Sequence, residues 1–497
     1  MTIRIEVTEL PPPLLEFGSP GEFTEQKEGL TQAGPFDLRF GGAHRTQVRV
    51  GIVGPTAMIE MARQWYERCR KPIMSSMTNL TQYPFFPGFD ETFKASLVLD
   101  DRWVVEYDET ENELGKALEL KKPKERFERV LDLYAAGIKK IADLEIKPDL
   151  VVCCLPETVI RSCWSISNDL SEAEWKAIKK QQRDKGEMQP GLFDQVEVDE
   201  TAEDLLFRDF RRALKARAMR TNMPIQIGRE HLFSDEAAGQ DAATRAWNMS
   251  VAMYYKAGGI PWRTKKNGPE TCFVGIGFHH LRTNKRHLVH SSIAQAFSTE
   301  GDGFALRGES VPWNPDQGRE VHLTEEQATK LAEKVLWQYR ERSGCDPLRV
   351  VLHKTSKFNQ AEMAGFRHAF KNIPLVETIN LAYSLFRLVQ FGPYPPKRGT
   401  LCRVNQDKNY LFTSGYMPEW KTYPGPHIPR PFELSAGRET DIVRAATDVL
   451  SLSRMNWNTA QSNSSVPVTL YFARQVGGIM SEIPEGEEPK PSYRFYM

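Results

Sequence analysis

The sequence has no surplus of either charge. Its 497 residues include 65 lysines and arginines and 65 aspartates and glutamates, so the formal net charge is zero. A surface that attracts polyanions over its whole extent is therefore excluded, and any nucleic-acid site has to be a local basic patch.

Paired cysteines are also absent. The seven cysteines show no Cys-x-x-Cys spacing, which disfavours a zinc ribbon or a dithiol redox motif. Several lie in apolar, strand-like stretches, as expected of reduced thiols in a cytosolic protein. They are Cys69, Cys153, Cys154, Cys163, Cys272, Cys345 and Cys402.

Long hydrophobic runs are missing too. No apolar stretch approaches the ~20 residues that a membrane-spanning helix needs. The opening residues, MTIRIEVTELPPPLLEFG, lack the charged start and apolar core of a signal peptide. We therefore expect a soluble, cytoplasmic protein that does not bind membranes.

The length predicts two domains, because single cores rarely grow beyond about 250–300 residues. Residues 1–45 are interrupted by prolines and indicate an extended arm. Residues 46–262 alternate continuous apolar strands, such as QVRVGIVG and PDLVVCCLP, with amphipathic helices, such as KERFERVLDLYAAGIKKIADLE. This alternation predicts an α/β domain with a mostly parallel sheet that is covered on both faces.

Residues 263–497 begin with the strand CFVGIGFHH and a predicted meander, followed by the helix LTEEQATKLAEKVLWQYRERSG. Thr324 with Glu326 and Gln327 forms an N-terminal capping pattern, and Gly344 marks the end of the helix. The strand LRVVLHKT and the helix NQAEMAGFRHAF come next. Strands first and strand–helix units afterwards suit an RNase H-like α/β domain.

A basic helix precedes this second half. In RDFRRALKARAMR (208–220), six of thirteen residues are basic. Arg208, Arg211 and Lys215 recur at helical spacing and share one face. Like charges this close repel each other, so the face is either simply solvated or binds an anion.

Further polar residues follow at spacings that favour anion binding over a simply solvated basic face. NMPIQIG places Gln226 on a strand directly after the basic helix, and Asn248 and Lys256 lie about two turns apart on the next helix. Together with Arg211 and Lys215 they could converge on one phosphate. The lysines would supply point charges, the arginine a planar donor fork, and the two amides neutral donors.

The order of the basic helix, PIQIG, AWNMSVAMYYKAGGIPWR, CFVGIGFHH and RVVLHKTSKF resembles the passage from the MID to the PIWI domain in short prokaryotic Argonautes, which contain only these two domains. The resemblance is clearest over residues 205–370 and extends over 45–497. It implies a Rossmann-like MID domain in residues 46–262, followed by an RNase H-like PIWI domain in 263–497.

In that family the MID pocket binds the 5′-phosphate of a guide strand. Arg211 stands where many members keep a tyrosine that stacks on the first guide base, and a guanidinium can stack as well. The family often adds a Mg²⁺ ion shared between the phosphate and the C-terminal carboxylate, here that of Met497. The matching phosphate-binding positions are Arg211, Lys215, Gln226, Asn248 and Lys256.

Cleaving Argonautes use carboxylates to hold two divalent cations. The position of the first aspartate, at the end of the first PIWI strand, is Gly277 here, and a later aspartate position is Thr355. A hydrogen atom and a hydroxyl cannot replace two anions. The resemblance therefore implies an inactive PIWI domain, and we expect this chain to supply no catalytic residue.

Three alternatives stay open. His279, His280 and His353 could form a site for another metal, although neighbouring residues of a strand point in opposite directions. The motif GIVGPT (51–56) could serve a nucleotide-binding module, although it lacks the spacing of a P-loop or dinucleotide fingerprint. Unaligned carboxylates could sustain an active, guided RNase H-like nuclease, namely Glu300, Asp302, Glu309 and Glu362.

The resemblance implies a guide-directed sensor of invading nucleic acid in antiviral and plasmid defence. The guide is expected to be RNA and the target complementary single-stranded DNA. Short members act with an APAZ-containing effector, which is sirtuin-like, TIR or a nuclease, and the first two deplete NAD in abortive infection. Target binding would favour the active state of that partner and could be accompanied by oligomerisation of the complex.

Basic loops are candidates for contacts with a guide–target duplex, because pairing reads the sequence while the protein contacts the backbone. They are RTNKR (282–286), WRTKKNG (262–268), Lys354 and Lys357. The alternative, that these are solvated turn residues, stays open. The polar segment 176–200 is predicted to be a surface loop.

Overall fold

The structure is a computed structural model that describes most of the chain. The predicted surface loop 176–200, apart from residue 176, and the basic loop 282–286 lie outside the described residues. The described residues are 3–107, 113–167, 172, 176, 207–234, 240–266, 268–281, 289–298, 303–312, 321–389, 391–392, 395–405, 408–425, 428–437, 440–461, 465–484 and 486–497.

The strands of this part of the chain are β1 (Ile5–Glu9), β2 (Leu15–Glu16), β3 (Gln47–Pro55), β4 (Ser96–Tyr107), β5 (Leu150–Leu155), β6 (Ser165–Ser167), β7 (Phe207–Asp209), β8 (Ile225–Arg229), β9 (Arg263–Thr264), β10 (Thr271–Leu281), β11 (Val289–Ser298), β12 (Gly303–Pro312), β13 (Arg349–Lys354), β14 (Leu375–Tyr383), β15 (Thr400–Val404), β16 (Lys408–Leu411) and β17 (Phe432–Ala436).

The α-helices are α1 (Gln26–Ala33), α2 (Thr56–Cys69), α3 (Phe89–Phe93), α4 (Glu113–Leu118), α5 (Pro123–Ala142), α6 (Glu157–Cys163), α7 (Phe210–Met219), α8 (Glu230–Phe233), α9 (Ala242–Lys256), α10 (Glu325–Ser343), α11 (Gln360–Ala369), α12 (Ile442–Leu452) and α13 (Val468–Met480). Short 3-10 segments occupy Phe36–Ala43 and Tyr493–Phe495. No described helix has both the length and the apolar character needed to cross a membrane.

A parallel four-stranded sheet, in the order β4-β3-β5-β8, organises the first half of the chain. Every residue of β5 is buried. Alternate residues, beginning with Leu150, pack with α2 and α9, and the others, beginning with Val151, pack with α5 and α7. Because successive side chains of a strand point to opposite faces, the continuous apolar run fits a sheet covered on both sides, and that prediction is confirmed.

The motif GIVGPT forms the passage from β3 into α2. A Cβ atom on Gly54 would lie 2.7 Å from the Cβ atom of Cys154 on the neighbouring strand. The glycine therefore allows close packing between strands. This packing accounts for the glycine without a nucleotide.

A nine-stranded sheet, in the order β1-β15-β16-β17-β14-β13-β10-β11-β12, organises the second half. β10 runs antiparallel to β11 and parallel to β13, which runs parallel to β14. Helices α10 and α11 cover one face through residues such as Leu331 and Phe366, and α13 packs on the other. An antiparallel meander followed by parallel strands, with helices on both faces, is the expected RNase H-like arrangement.

The predicted ends of α10 are confirmed. Thr324 is its N-cap, and the side chain of Gln327 completes a capping box with the Thr324 backbone. Gly344 ends the helix in the left-handed conformation with a φ of 71°, which glycine adopts without steric cost.

The first residues of the chain join the second sheet. β1 pairs antiparallel with β15, with Ile5 opposite Val404, and forms one edge of the nine-stranded sheet. The segment predicted as an arm therefore contributes a strand to the half of the chain farthest from it in sequence.

Helix α13 connects the two halves. A Cβ atom on Gly275 of β10 would lie 1.9 Å from the carbonyl oxygen of Thr469, so the glycine lets the helix backbone lie directly on the strand. From the same helix, Gln475 accepts a hydrogen bond from Nη1 of Arg211 on α7, at 3.3 Å. The basic helix is thus held against the second sheet.

Candidate anion-binding site

A cavity of about 300 Å³ lies between α7, β8, the end of α9 and the final residues of the chain. It contains four of the five predicted phosphate-binding residues, together with Met497. Its lining residues are Trp164, Arg211, Lys215, Gln226, Ile227, Arg229, His231, Leu232, Lys256, Asn458 and Met497.

Five of the six cations of the basic segment 208–220 fall into two groups. Carboxylates pair with three of them: Arg208 contacts Glu482 at 3.0 Å, and Arg217 and Arg220 form salt bridges with other acids. Arg211 and Lys215 instead line the cavity, and neither forms a salt bridge with any aspartate or glutamate that the structure describes. Tertiary contacts have therefore left these two cations without a described acidic side chain as partner.

Lys215 is buried, with 3% of its surface exposed. Its ammonium group donates a hydrogen bond to the carbonyl oxygen of Tyr496 at 3.1 Å and another to that of Met497. These contacts hold the ammonium in place at the wall of the cavity.

Lys256 is the second buried ammonium, with 1% of its surface exposed. It donates a hydrogen bond to Oε1 of Gln226, whose Nε2 donates in turn to the carbonyl oxygen of Ile227 at 3.2 Å. Gln226 therefore orients the lysine, and it does so without an opposing charge.

The cationic side chains of the cavity repel one another, which lowers their pKa values. Burial lowers the pKa of Lys215 well below its usual range, and the charges of Arg211 and Lys256 lower it further. Burial also lowers the pKa of Lys256 to about 7, with Arg211 adding to the shift. Burial lowers the pKa of Arg211, which lies within range of the Arg229 charge. An anion in the cavity would relieve these repulsions and favour the charged forms.

Asn248 does not line the cavity. Its Oδ1 accepts hydrogen bonds from Oγ1 of Thr459 at 2.8 Å and from the backbone N–H of Ala460 at 3.1 Å. The preceding residue of that loop, Asn458, does line the cavity. Asn248 thus fixes the loop that presents Asn458, so its contact with the cavity is indirect.

The lining residues do not fit a magnesium ion. Mg²⁺ is bound mainly by carboxylate oxygens, and no aspartate or glutamate is found among the described lining residues. The available oxygens of Gln226 and Met497 already accept from Lys256 and Lys215. The Lys215 ammonium thus contacts the Met497 oxygen that the resemblance assigned to the metal.

The two residues predicted to stand at degenerate catalytic positions are neighbours, Gly277 on β10 and Thr355 directly after β13. Ile276 of β10 is in register with Lys354 of β13, so Gly277 and Thr355 follow at the same level of the sheet. Neither residue supplies a carboxylate.

The unaligned carboxylates have other partners. Glu362 is buried, forms a 2.5 Å salt bridge with Lys354, and accepts a hydrogen bond from the backbone N–H of Leu323. Glu309 pairs with Lys330 at 2.9 Å. The remaining two, Glu300 and Asp302, lie outside the described residues.

The histidines do not assemble a metal site within the part of the chain that the structure describes. His353 is buried, a 2.8 Å hydrogen bond joins its Nδ1 to Oγ1 of Thr469, and burial lowers its pKa to about 3. The side chain of His280 lies outside the described residues. No described group of three histidine, cysteine or acidic side chains could hold a metal ion.

Two of the suggested duplex contacts need correction. Lys354 is neither a solvated turn residue nor a free backbone contact, because it is buried against Glu362. In the loop 262–268, Trp262 is fully buried and Lys266 pairs with Glu270. Lys357 is exposed, as predicted for a turn residue or a duplex contact.

Six lining residues were not predicted from the sequence, among them Arg229, Trp164 and Asn458. Arg229 is the last residue of β8, Trp164 follows α6, and Asn458 lies more than 200 residues beyond either. Arg229 could have been predicted from the sequence, because ligands of open α/β sheets bind beyond the carboxyl ends of the strands. No sequence pattern indicates that Trp164 or Asn458 lines the cavity.

The chain thus combines a Rossmann-like parallel sheet with an RNase H-like sheet, and basic side chains of α7, β8 and α9 line a cavity. Solved Argonaute structures share this α/β fold. Clostridium butyricum Argonaute, bound to a guide DNA and a 19-mer target DNA, matches with a TM-score of 0.62 and 15% identity over 98% of this chain and 54% of that one.

Two A. aeolicus Argonaute structures, one with externally bound siRNA, both match with a TM-score of 0.55, at 14% and 13% identity. They align with 99% and 98% of this chain, which spans about half the length of the Argonautes it matches. No protein-family model and no curated protein matches the sequence. At such identities the match shows the fold, and the predicted order of MID-like and PIWI-like domains is confirmed at that level.

Proposed function

We propose that this protein is an Argonaute that binds the 5′-terminal phosphate of a guide strand in the cavity around Lys215 and Lys256. The observation that carries the proposal is the convergence of two buried ammonium groups and the Arg211 guanidinium at a cavity whose described lining has no aspartate or glutamate. Burying like charges together is costly unless an anion binds among them. A terminal phosphate supplies about two negative charges and several acceptor oxygens.

The similar C. butyricum protein supports the second part of the proposal, because its structure contains a guide DNA and a target DNA. A guide held at its 5′ end would present its bases for pairing with a complementary strand, and pairing would supply the sequence specificity. We propose RNA as the guide and single-stranded DNA as the target.

We further propose that this chain belongs to the short, non-cleaving type. Gly277 and Thr355 remove two carboxylates from adjacent strands, and Glu362 is committed to its salt bridge with Lys354. Killing would then be the task of an APAZ-containing effector, either NAD-degrading or a nuclease, that responds to target binding.

Phosphate recognition is tested by comparing oligonucleotides that differ only at the 5′ end. Lys215→Met keeps the apolar stem and removes the charge, and Lys140→Met, at an exposed position on α5, is the matched control. Each charge-assisted contact is worth roughly 1.5–3 kcal/mol. We expect Lys215→Met to weaken binding of the phosphorylated strand by about 10- to 100-fold and to leave the hydroxyl strand unchanged.

Equal weakening for both strands, or a wild-type protein without preference for the phosphate, would contradict the assignment of the cavity. The absence of cleavage is a separate question. Guide-loaded protein with complementary DNA and Mg²⁺ or Mn²⁺ should yield no product. Specific cutting of the target would overturn the non-cleaving assignment and leave guide binding standing.

A further inference from the structure

A second cavity, of about 530 Å³, lies beside α1 and has no described lining residue in common with the anion-binding cavity. Its lining comes from residues 24–32, 80–85, 419–425 and 460–461, and we call it the α1 cavity. Pockets that bind small organic molecules usually measure about 300–1,000 Å³. The α1 cavity is therefore large enough for such a ligand.

The walls of the α1 cavity are fixed by hydrogen bonds within the chain. Nδ2 of Asn79 donates to the carbonyl oxygen of Trp420 at 3.0 Å, and Oδ1 of Asn79 accepts from the backbone N–H of Gln82 at 3.3 Å. The backbone N–H of Met417 donates to the carbonyl oxygen of Thr422 at 2.9 Å, which closes the turn that carries Trp420. Two loops that are distant in sequence are thus joined, as in the largely pre-formed sites of small ligands.

Aromatic and aliphatic side chains form much of the wall. Leu80 and Phe85 line the cavity with 60% and 43% of their surfaces exposed, although burying such side chains is favourable. Tyr83 is partly buried, and Trp420 is buried with 7% of its surface exposed. A ligand with a planar apolar body would cover this exposed surface and place a ring beside other rings.

The positive charge that the cavity offers comes from Lys27 on α1, the one cation among the described lining residues. Lys27 is partly buried, and its ammonium group forms no hydrogen bond or salt bridge with any residue that the structure describes. Burial lowers the pKa of Lys27 to about 8, and the charges of Glu25 and Asp241 only partly offset that shift. An anionic group in the cavity would supply the missing partner.

The two acids within electrostatic range of Lys27 have other contacts. Glu25 forms a 2.7 Å salt bridge with the buried Arg454, and the buried Arg398 also lies within range of the Glu25 charge. Asp241 caps α9 with its side chain. One carboxylate, that of Glu25, therefore faces three cations, and positive charge is in excess at this end of the cavity.

Two further acids limit how much negative charge a ligand can carry. Glu28 and Glu419 line the cavity, and both are exposed. They would repel a ligand with several negative charges, such as a nucleic-acid strand, whereas a single anionic group can approach Lys27. The charges therefore favour a monoanion.

We propose that the α1 cavity binds a small aromatic monoanion, with its anionic group at Lys27 and its ring beside Tyr83 and Trp420. The planar body covers apolar surface, and the anionic group forms a charge-assisted hydrogen bond with the ammonium. This inference is independent of the proposed function, because it uses a different set of residues. The competing interpretation is that Lys27 is an ordinary surface lysine beside a water-filled groove.

The test uses the full chain and two fluorescent probes that differ in charge. Anilinonaphthalene sulfonate is an aromatic monoanion, and phenylnaphthylamine has the same rings without the sulfonate. Lys27→Met keeps an apolar side chain and removes the charge. It should weaken binding of the sulfonate by about tenfold and change binding of phenylnaphthylamine by less than about twofold. Lys140→Met, at an exposed position on α5, is the matched control and should bind both probes as wild type does.

A second variant tests the aromatic wall. Tyr83→Leu keeps an apolar side chain and removes the ring, so it should weaken both probes by a similar factor of about 2- to 10-fold. Thermal unfolding of each variant verifies that the comparison concerns folded protein.

Three outcomes would overturn the inference. They are a wild-type protein that binds neither probe, a Lys27→Met variant that leaves the ratio of the two dissociation constants unchanged, and a Tyr83→Leu variant that binds both probes as wild type does. Failure of the proposed function is recognised separately, because it appears as a missing preference for 5′-phosphorylated oligonucleotides.

Discussion

Binding of a 5′-phosphate should weaken as the pH rises from 7 to 9. Burial and the Arg211 charge lower the pKa of Lys256 to about 7 in the ligand-free protein. A bound phosphate favours the charged ammonium and raises that pKa, so binding takes up a proton when the pH exceeds 7. The phosphate itself ionises for the second time near pH 6 and stays a dianion over this range.

The size of this fall in affinity follows from the fraction of Lys256 side chains that are charged before the phosphate binds. With a pKa of about 7, half of the side chains are charged at pH 7 and about one in a hundred at pH 9. If the phosphate holds the pKa above 9, affinity should fall by about 50-fold across the range, approaching tenfold per pH unit. Lys215, whose pKa is also lowered, can only steepen the decline.

The assay measures the dissociation constants of 5′-phosphorylated and 5′-hydroxyl strands at pH 7, 8 and 9 and constant ionic strength, because salt alone changes nucleic-acid affinity. The ratio of the two constants isolates the terminal phosphate. Lys256→Met should lower the ratio at pH 7 and flatten its decline. A wild-type ratio that stays constant from pH 7 to 9, or a Lys256→Met ratio that declines as steeply as wild type, would refute the reasoning.

The stability of the ligand-free protein should rise with pH, whereas its affinity for the phosphate should fall. Lys256 loses its proton near pH 7 in the folded protein but near its ordinary value of 10.5 when unfolded. Between these values the unfolded chain binds more protons, so this residue makes the ligand-free protein more stable as the pH rises. The free energy of unfolding of wild type minus that of Lys256→Met, measured at pH 7 and 9, isolates the contribution.

Two further predictions concern the fold around the site. Lys354→Met removes the salt-bridge partner of the buried Glu362 carboxylate and should lower the free energy of unfolding by about 3 kcal/mol in denaturant titrations. The control Lys357→Met, at an exposed position, should change that free energy by less than about 0.5 kcal/mol. Equal changes in the two variants would refute a structural role for the Lys354–Glu362 pair. Gly275→Val would place a side chain against the backbone of α13 and should lower the free energy of unfolding by at least about 1–3 kcal/mol. The control Gly42→Ala should be tolerated, because no atom lies within 4 Å of the added Cβ atom. Similar stabilities of the two variants would show that α13 does not pack on Gly275 as described.

Local features could be predicted because the residues that produce them are close in sequence. The capping box of Thr324 lies within one turn of helix, and the burial of β5 is visible in its unbroken apolar run. Lys215 and Lys256 could be proposed because helical spacing and a following strand restrict where such side chains can point.

The features that could not be predicted depend on contacts between residues that are distant in sequence. Spacing alone could not show that Arg208 is neutralised by Glu482 while Lys215 donates to main-chain oxygens of Tyr496 and Met497. Nor could it show that β1 pairs with a strand about 400 residues later. Charge patterns give the number of cations, and only the tertiary contacts decide which of them remain unpaired.

The hydrogen bonds from Lys215 to main-chain oxygens of Tyr496 and Met497 bear on when the cavity forms during synthesis. A chain still emerging from the ribosome has its basic helix and its two lysines, but it lacks the acceptors that hold one of them in place. Contacts between such distant parts of a chain form late. A nascent polypeptide should therefore be unable to retain a phosphorylated strand, and loading should begin only after synthesis has reached Met497.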